Sequence, residues 1–535
     1  MTARRFWPGA ADFVFLLILA VVLIGGRSTL LNDPGSFWHL RLGRDIWKSG
    51  DVTHVDSLTY SRSGIPWVDQ SWLFDLALAK IVDFAGWSGA VAATALVLAW
   101  ICACLTRAMI RADAKPWVAL CVAMIVAEIG SIHFLVRPHI MTFAFVIWTL
   151  GACRDYHLRG SASRRLTWAP IAVAVWANLH GGFLAGPLIV LSALIGHAIA
   201  GPWDDERRRR VLGFSRCFAL CSIAPMANPY GFDLYRHVFN LLHGSGVTAL
   251  ITEYQPPAFG KPETRMLECV ILGLIAIPAV VARKIDRYEL VHVIAWLHLA
   301  LTSVRQAPLF GLAAAPAAAL LAGGRSGYDE AGRDSAARFS VWPAVVSIGV
   351  VIAASAGVKL GGHDRAAWPF AGLAKLDAAA VGERLFHEQD WGGMIESECK
   401  PARKAWIDDR FELFGKAFIL DYVGVLEGGP TWDDVSARER FDLVWIKPSR
   451  PLARRLKRDR SWRVVYEDKT SILFRRRSPG APLDDSTSKN ALCHDSLISY
   501  HPDLVDFGSF GAARGRAARG GRDGFGSACA GRPSD

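Results

Sequence analysis

Long apolar segments separated by short polar connections dominate residues 1–360. A helix needs roughly 20 apolar residues to cross a hydrocarbon core of about 30 Å. By this criterion the pattern predicts eleven membrane-spanning helices, at residues 11–31, 88–106, 116–136, 139–153, 167–180, 182–200, 211–227, 266–282, 288–304, 307–323 and 340–358. The pattern indicates an α-helical polytopic membrane protein, with residues 1–360 as one transmembrane domain.

Charge placement along these segments predicts their orientation. Residues 71–86 are apolar but carry Asp75, Lys80 and Asp83, which is typical of an amphipathic helix at the membrane interface. When this helix is not counted as a span, the basic clusters of alternate loops all fall on the side of the basic N-terminus. The sequence therefore predicts a multi-pass plasma (bacterial inner) membrane protein with a cytoplasmic N-terminus, and it places the first loop, residues 32–70, outside the cytoplasm.

Composition agrees with a membrane protein. Of the 535 residues 52% are hydrophobic and 20% are charged, and the formal net charge is +11. Much of the basic excess lies in short loops and in the C-terminal tail, so membrane orientation explains it and no nucleic-acid partner is expected. The cysteines show no spacing typical of a metal site.

The composition changes after the last predicted span. Residues 375–477 alternate short apolar strands with amphipathic helical pieces, which predicts a small extracytoplasmic α/β domain. Within it, Asp408-Asp409-Arg410 is predicted to be a surface turn rather than a nucleotide-sugar site. Residues 478–535 are rich in Gly, Ala and Arg, a composition typical of disorder.

The first loop carries the strongest chemical signal. It contains five Asp, two His and three Trp residues, more than a simple connection between helices requires. Asp33, next to Pro34, is predicted to be a general base at the membrane edge; the alternative is a helix cap. His39 and Asp69 are candidate substrate-binding residues. The tryptophans beside Asp69 suit stacking on sugars, and interfacial anchoring explains them equally well.

Further polar residues are predicted to lie on the same side of the membrane. Ionisable residues at membrane depth favour a functional role, and Arg suits the binding of phosphate. Snorkelling of Arg and structural hydrogen bonding of His and Asn remain alternatives. The candidate substrate-binding residues of this set are Arg137, His139, Asn178, His180, Glu253 and Arg305.

Several motifs carry a resemblance to a known superfamily. The segments DPGSFWHLRLG, PWVDQSWL, RPHIMTF, WANLHGGFLAG, NPYG and IDDRFELFG resemble a family of uncharacterised bacterial membrane proteins related to the GT-C superfamily. That superfamily of integral-membrane glycosyltransferases includes protein O-mannosyltransferases and aminoarabinose transferases of lipid A. The likeness spans most of residues 10–477.

The resemblance implies a cell-envelope transferase that takes a sugar from a polyprenyl-phosphate donor and transfers it to a glycan, lipid or protein acceptor. Asp33 would be the catalytic residue. Many members carry paired acids at this position, whereas this chain has Asp33-Pro34-Gly35. A divalent metal therefore lacks the motif that would support it, and no metal ligand is predicted. The alternative is a non-catalytic transporter, flippase or envelope-assembly factor on a degenerate scaffold.

Overall fold

The computed structural model describes residues 6–25, 29–160, 163–199, 203–244, 246–281 and 284–478. Most of them are helical. The predicted tail lies outside this range from residue 479 onward.

Nineteen α-helices are formed by the described residues. The first seven are α1 (Ala10–Gly25), α2 (Gly35–Ser49), α3 (Trp72–Arg111), α4 (Pro116–Gly130), α5 (His139–Arg159), α6 (Ala169–Leu179) and α7 (Ala185–Ala198). The next seven are α8 (Asp205–Ile223), α9 (Phe232–Phe239), α10 (Pro262–Val281), α11 (Arg287–Thr302), α12 (Ala307–Gly323), α13 (Glu330–Ala336) and α14 (Trp342–Ser355). The last five are α15 (Phe370–Asp377), α16 (Gly392–Glu398), α17 (Phe411–Leu426), α18 (Pro430–Glu439) and α19 (Pro451–Arg458).

Each of the eleven predicted spans overlaps one of these helices, but their lengths differ. Among the described residues, five helical stretches are long and apolar enough to cross a membrane, namely Trp72–Arg111, Pro116–His133, Gly181–Ala198, Thr264–Val281 and Val304–Gly323. Ala10–Gly25 and Trp342–Ser355 are shorter apolar helices. The protein is therefore a membrane protein by its helices, and the number of eleven spans stays a prediction.

The 40-residue helix α3 has a break that the sequence suggested. Its backbone is non-helical at Gly86, with φ 61° and ψ −169°. That φ lies in the left-handed region, which glycine adopts without a steric penalty. The break coincides with the end of the predicted interfacial segment 71–86, so the chain changes direction between a half that carries acids and a half that is almost entirely apolar.

The apolar helices share one large buried core. It includes Phe15 of α1, Leu98 of α3, Val146 of α5 and Phe310 of α12. Proline in the first turn of α4 and α12 fits the start of a helix, where its missing N–H would have no partner. This core fixes the helix ends from which the polar loops project.

The chain beyond α14 contains a four-stranded sheet with the order β1-β2-β4-β3. The strands are β1 (Leu385–His387), β2 (Leu443–Ile446), β3 (Trp462–Glu467) and β4 (Ile472–Arg476). β1 and β2 are parallel, and the other two pairings are antiparallel. All residues of β2 are buried, as expected for a strand covered on both faces.

The first loop packs directly on this C-terminal region. Phe37 of α2 shares a buried cluster with Trp391 and Leu443. The segment at Thr59 also forms a parallel bridge with Ala405, and Tyr60 N donates to Ala405 O at 2.9 Å. The predicted boundary of a separate domain at residue 375 stays a prediction, but the two regions share buried surface.

Candidate functional site

Asp33 lies at the start of α2 and is 3% exposed. The Ser36 N–H donates to Asp33 Oδ2 at 3.0 Å, so Asp33 does cap the helix. The same oxygen lies 2.8 Å from Arg137 Nε. Asp33 therefore both caps α2 and pairs with Arg137, and its role as a general base stays a prediction.

Arg137 follows α4 and precedes Pro138, and it joins two acids. Besides Asp33, its Nη2 contacts Asp409 Oδ2. The Trp38 indole N–H donates to the other oxygen of Asp409 at 2.5 Å. We call Asp33, Arg137 and Asp409 the acid–arginine triad.

Burial and charge act in opposite directions on the triad. Burial raises the pKa of Asp33, and the Arg137 guanidinium offsets part of that rise. Burial also raises the pKa of Asp409, to about 7, against the opposing effect of Arg137. Burial acts to lower the pKa of the Arg137 guanidinium, but Asp33, Asp409 and Glu253 together raise it, so Arg137 stays charged.

The predicted surface turn at Asp408-Asp409-Arg410 is wrong. Asp408 and Arg410 are buried, and Arg410 Nη2 contacts Asp56 Oδ1 at 2.8 Å. Arg410 Nε donates to Asp408 Oδ2 at 2.9 Å. The acids do not need exposure to water, because Arg410 compensates Asp408 and Arg137 compensates Asp409.

Glu253 and Arg305 form a second ion pair near the triad. Their Oε2 and Nη1 atoms are 2.9 Å apart. Burial acts to raise the pKa of Glu253, but Arg305, His133 and Arg137 together lower it. Glu253 also acts electrostatically on Asp33 and Arg137, so the sequence-predicted acid and both arginines lie in one charged region.

His180 presents a defined hydrogen-bond donor. Its Nδ1 accepts from the Gly182 N–H at 3.1 Å and lies 2.7 Å from Thr142 Oγ1. The Trp176 indole N–H donates to the same Thr142 oxygen at 2.9 Å. Because Nδ1 accepts the Gly182 N–H, the hydrogen of the neutral ring is on Nε2.

The other predicted residues occupy positions around this region. His139 Nε2 contacts the His133 carbonyl, and its ring centroid lies 6.4 Å from that of His180. Asn178 accepts from the Trp72 indole N–H at 2.9 Å and donates to the Ala227 carbonyl at 2.9 Å. These bonds tie α6 to its neighbours, and a substrate contact by Asn178 stays a prediction.

His39 and Asp69 belong to a buried acidic cluster beside the triad. His39 Nδ1 and Asp75 Oδ1 are 2.6 Å apart. Burial, followed by the charges of Arg137 and its neighbours, holds the pKa of His39 well below its ordinary value. Burial raises the pKa of Asp69 to about 6, and the Ser71 N–H donates to Asp69 Oδ1 at 3.1 Å. Asp75 was not predicted as a site residue, because its place in the sequence is typical of the polar face of an amphipathic helix.

A divalent metal does not fit the residues present. Within the described residues, no group of three or more His, Cys, Asp or Glu side chains is arranged to hold a metal ion. The triad has two carboxylates, and the oxygen atoms that face each other are occupied by Arg137. Ca²⁺ and Mg²⁺ sites need more oxygen ligands than this.

The fold is similar to that of an archaeal oligosaccharyltransferase. The archaeal oligosaccharyltransferase AglB from Archaeoglobus fulgidus, solved in complex with an inhibitory peptide and a dolichol-phosphate, superposes with a TM-score of 0.51. The sequences are 11% identical, and the match covers 89% of this chain and 75% of that one. At this identity the similarity concerns the fold alone.

Two further structures of the Archaeoglobus fulgidus oligosaccharyltransferase match at a TM-score of 0.49. One is a complex with Zn and sulfate, with 12% identity and coverage of 82% of this chain and 68% of that one. The other is tethered to an acceptor peptide, with 13% identity and coverage of 89% and 75%. No family model matches the chain, and no curated protein matches it in sequence.

Proposed function

We propose that the chain is a membrane glycosyltransferase that moves a sugar from a polyprenyl-phosphate donor to a hydroxyl group of an extracytoplasmic acceptor. The observation that carries this proposal is the convergence of Asp33 and Arg137, with Nε 2.8 Å from the carboxylate. It combines a base with an anion-binding group in one buried region. If Asp33 instead paired with Arg44 on its own helix, the non-catalytic alternative would be favoured, but Arg44 pairs with Asp83.

The fold supports the same class of protein. AglB was solved with a dolichol-phosphate and an inhibitory peptide, so a fold of this kind accommodates a lipid phosphate and a peptide. By analogy, the donor of this chain is a lipid-linked sugar phosphate. The proposed acceptor is a glycan, a lipid or a protein.

Asp33 is the proposed general base. It takes the proton of the acceptor hydroxyl as the oxygen attacks the anomeric carbon, and the bond from that carbon to the phosphate oxygen breaks. The raised pKa of Asp33 favours this role, because a buried carboxylate is a stronger base than an exposed one.

Arg137 and Arg305 are the proposed binders of the leaving phosphate. Nε and Nη2 of Arg137 lie against the two acids, and the side chain keeps 23% of its surface exposed. Arg305 is oriented by Glu253 and lies over the Tyr254 ring. The Nε2–H of His180 adds a neutral hydrogen-bond donor. The negative charge of the leaving phosphate would then be stabilised by groups whose positions are already fixed.

The remaining predicted residues are proposed to shape the pocket. In this proposal His39 and Asp69 contact the substrate from the side of α2, and His139, Asn178 and Glu253 contact it from the opposite side. Their own hydrogen bonds keep them in place, as a preorganised site requires.

Replacing Asp33 tests the proposal. Membranes that contain Asp33→Asn, supplied with polyprenyl-phosphate-linked hexose and pentose donors, should show a loss of sugar transfer of about 100-fold or more. Asp45→Asn is the matched control, because Asp45 lies on α2 but pairs with Arg41 away from the triad. Equal expression of both variants excludes a folding effect. Transfer by Asp33→Asn at the level of the control would contradict the mechanism and favour the non-catalytic alternative.

A further inference from the structure

The acid–arginine triad is arranged like a cation-binding site in which the guanidinium of Arg137 is the cation. Asp33 and Asp409 are both nearly inaccessible, and they approach one point from distant parts of the chain. Two buried carboxylates that converge in this way repel each other unless a positive charge lies between them. In many proteins that charge is a divalent metal.

Contacts among the described residues occupy three of the four carboxylate oxygens of Asp33 and Asp409. Asp33 Oδ2 already accepts from the Ser36 N–H, and Asp409 Oδ1 accepts from Trp38. The two oxygen atoms that point toward the shared centre are taken by Nε and Nη2 of Arg137. A metal at this point would have to displace the guanidinium and would still lack a third protein ligand.

Gly35 provides the space that the guanidinium fills. A Cβ atom at this position would lie 2.3 Å from Arg137 Nη2 and 2.8 Å from Nε. Real Cβ atoms essentially never approach so closely, so any side chain at position 35 would push the guanidinium away from the acids. The first turn of α2 is therefore shaped to the arginine.

We propose that the guanidinium of Arg137 takes the place of a divalent cation between Asp33 and Asp409, so that the intact site binds no divalent metal. This inference concerns the charge that holds the site together, and it goes beyond the proposed function. Removing the guanidinium frees two convergent carboxylates and turns the same point into a weak metal site.

Metal titration of the full chain in detergent tests the proposal without any measurement of transfer. Protein treated with EDTA is titrated with Mn²⁺, and the bound fraction is read by electron paramagnetic resonance. Wild-type protein should bind no Mn²⁺ that depends on Asp33 or Asp409. Arg137→Met should bind one equivalent of Mn²⁺ with an affinity at least tenfold above any residual binding by the wild type, and Asp33→Asn with Asp409→Asn in that background should abolish this binding.

Gly35→Ala provides a second route to the same result. It leaves all three charged residues in place but displaces the guanidinium, so it should also gain Mn²⁺ binding. Wild-type binding that is lost in Asp33→Asn would overturn the proposal, and so would a failure of folded Arg137→Met to bind. If Arg137→Met does not fold, the wild-type and Gly35→Ala titrations decide. Failure of the proposed function would leave these titrations unchanged, because they do not involve a sugar donor.

Discussion

At the residue scale, His180 illustrates how neighbouring groups set the chemistry of a side chain. Its position in the sequence gives no preference between the two neutral forms of the ring. The Gly182 N–H makes that choice by donating to Nδ1, which leaves Nε2–H as the donor. The neighbours of His180 therefore determine which of its ring nitrogens can donate a hydrogen bond.

Substitutions that resemble one or the other ring nitrogen test the role of His180. Gln carries its amide near the position of Nε2, and Asn carries its amide near Nδ1. If Nε2–H binds the leaving phosphate, His180→Asn should lower transfer by about 100-fold, and His180→Gln should stay within about tenfold of wild type. The measurement is transfer at saturating donor. Equal losses in both variants would contradict a donor role.

The residues of the site were only partly predictable. Four of them were proposed from the sequence because polar residues next to the apolar spans fall on one predicted side of the membrane. These are Asp33, Arg137, Glu253 and Arg305. Asp409 was missed because its environment is made by Arg137 and Trp38, which are far away in sequence. The signal that could have found it is the acid-acid-arginine run between two apolar stretches, since charges there must be compensated if they are buried.

At the element scale, α2 and α3 are in contact through Gly43. A Cβ atom at Gly43 would lie 1.9 Å from the Asp75 carbonyl oxygen and 2.9 Å from Ala79 Cβ. Backbone cannot yield as a flexible side chain can, so the close approach depends on glycine. The contact also holds Asp75 beside His39.

Gly43→Ala should therefore separate the two helices. We expect a loss of about 1–3 kcal/mol of unfolding free energy, as for other overpacked sites. Gly349→Ala in α14 is the control, because a Cβ atom there meets nothing within 4 Å and alanine favours a helix. Thermal unfolding of the detergent-solubilised variants measures the difference. Equal midpoints would contradict the contact.

Elements were more predictable than the site. Apolar runs located the helices, since hydrophobicity and length are local properties of the sequence. The break of α3 at Gly86 also follows from local chemistry. The pairing of Thr59 with Ala405 does not, because a single bridge between distant segments leaves no periodic pattern.

At the scale of the whole molecule, Arg410 joins the first loop to the C-terminal region. It is buried, pairs with Asp56 and Asp408, and lies 4.7 Å from the centre of the Trp67 ring. Removal of one member of a buried ionic cluster leaves charge without compensation. The connection between the two regions therefore depends on this side chain.

Arg410→Met should be strongly destabilising, by about 3–5 kcal/mol, because two buried carboxylates lose their partner. Arg438→Ala provides the comparison: its pair with Asp421 is exposed and 3.6 Å apart, so the expected loss is below about 1 kcal/mol. Chemical denaturation in detergent measures both. If Arg410→Met unfolds at the same denaturant concentration as Arg438→Ala, the ionic connection contributes nothing.

The contact between Trp38 and Asp409 spans 371 residues, and this separation has a consequence for biosynthesis. At about 5–20 residues per second, a ribosome needs roughly 20–75 s to add that much chain. During this interval Arg137 can meet Asp33 while Asp409 has not yet been made. A nascent chain in the membrane therefore has Asp33 and Arg137 in place without Asp409. Termination of synthesis before residue 409 leaves the triad without its second carboxylate.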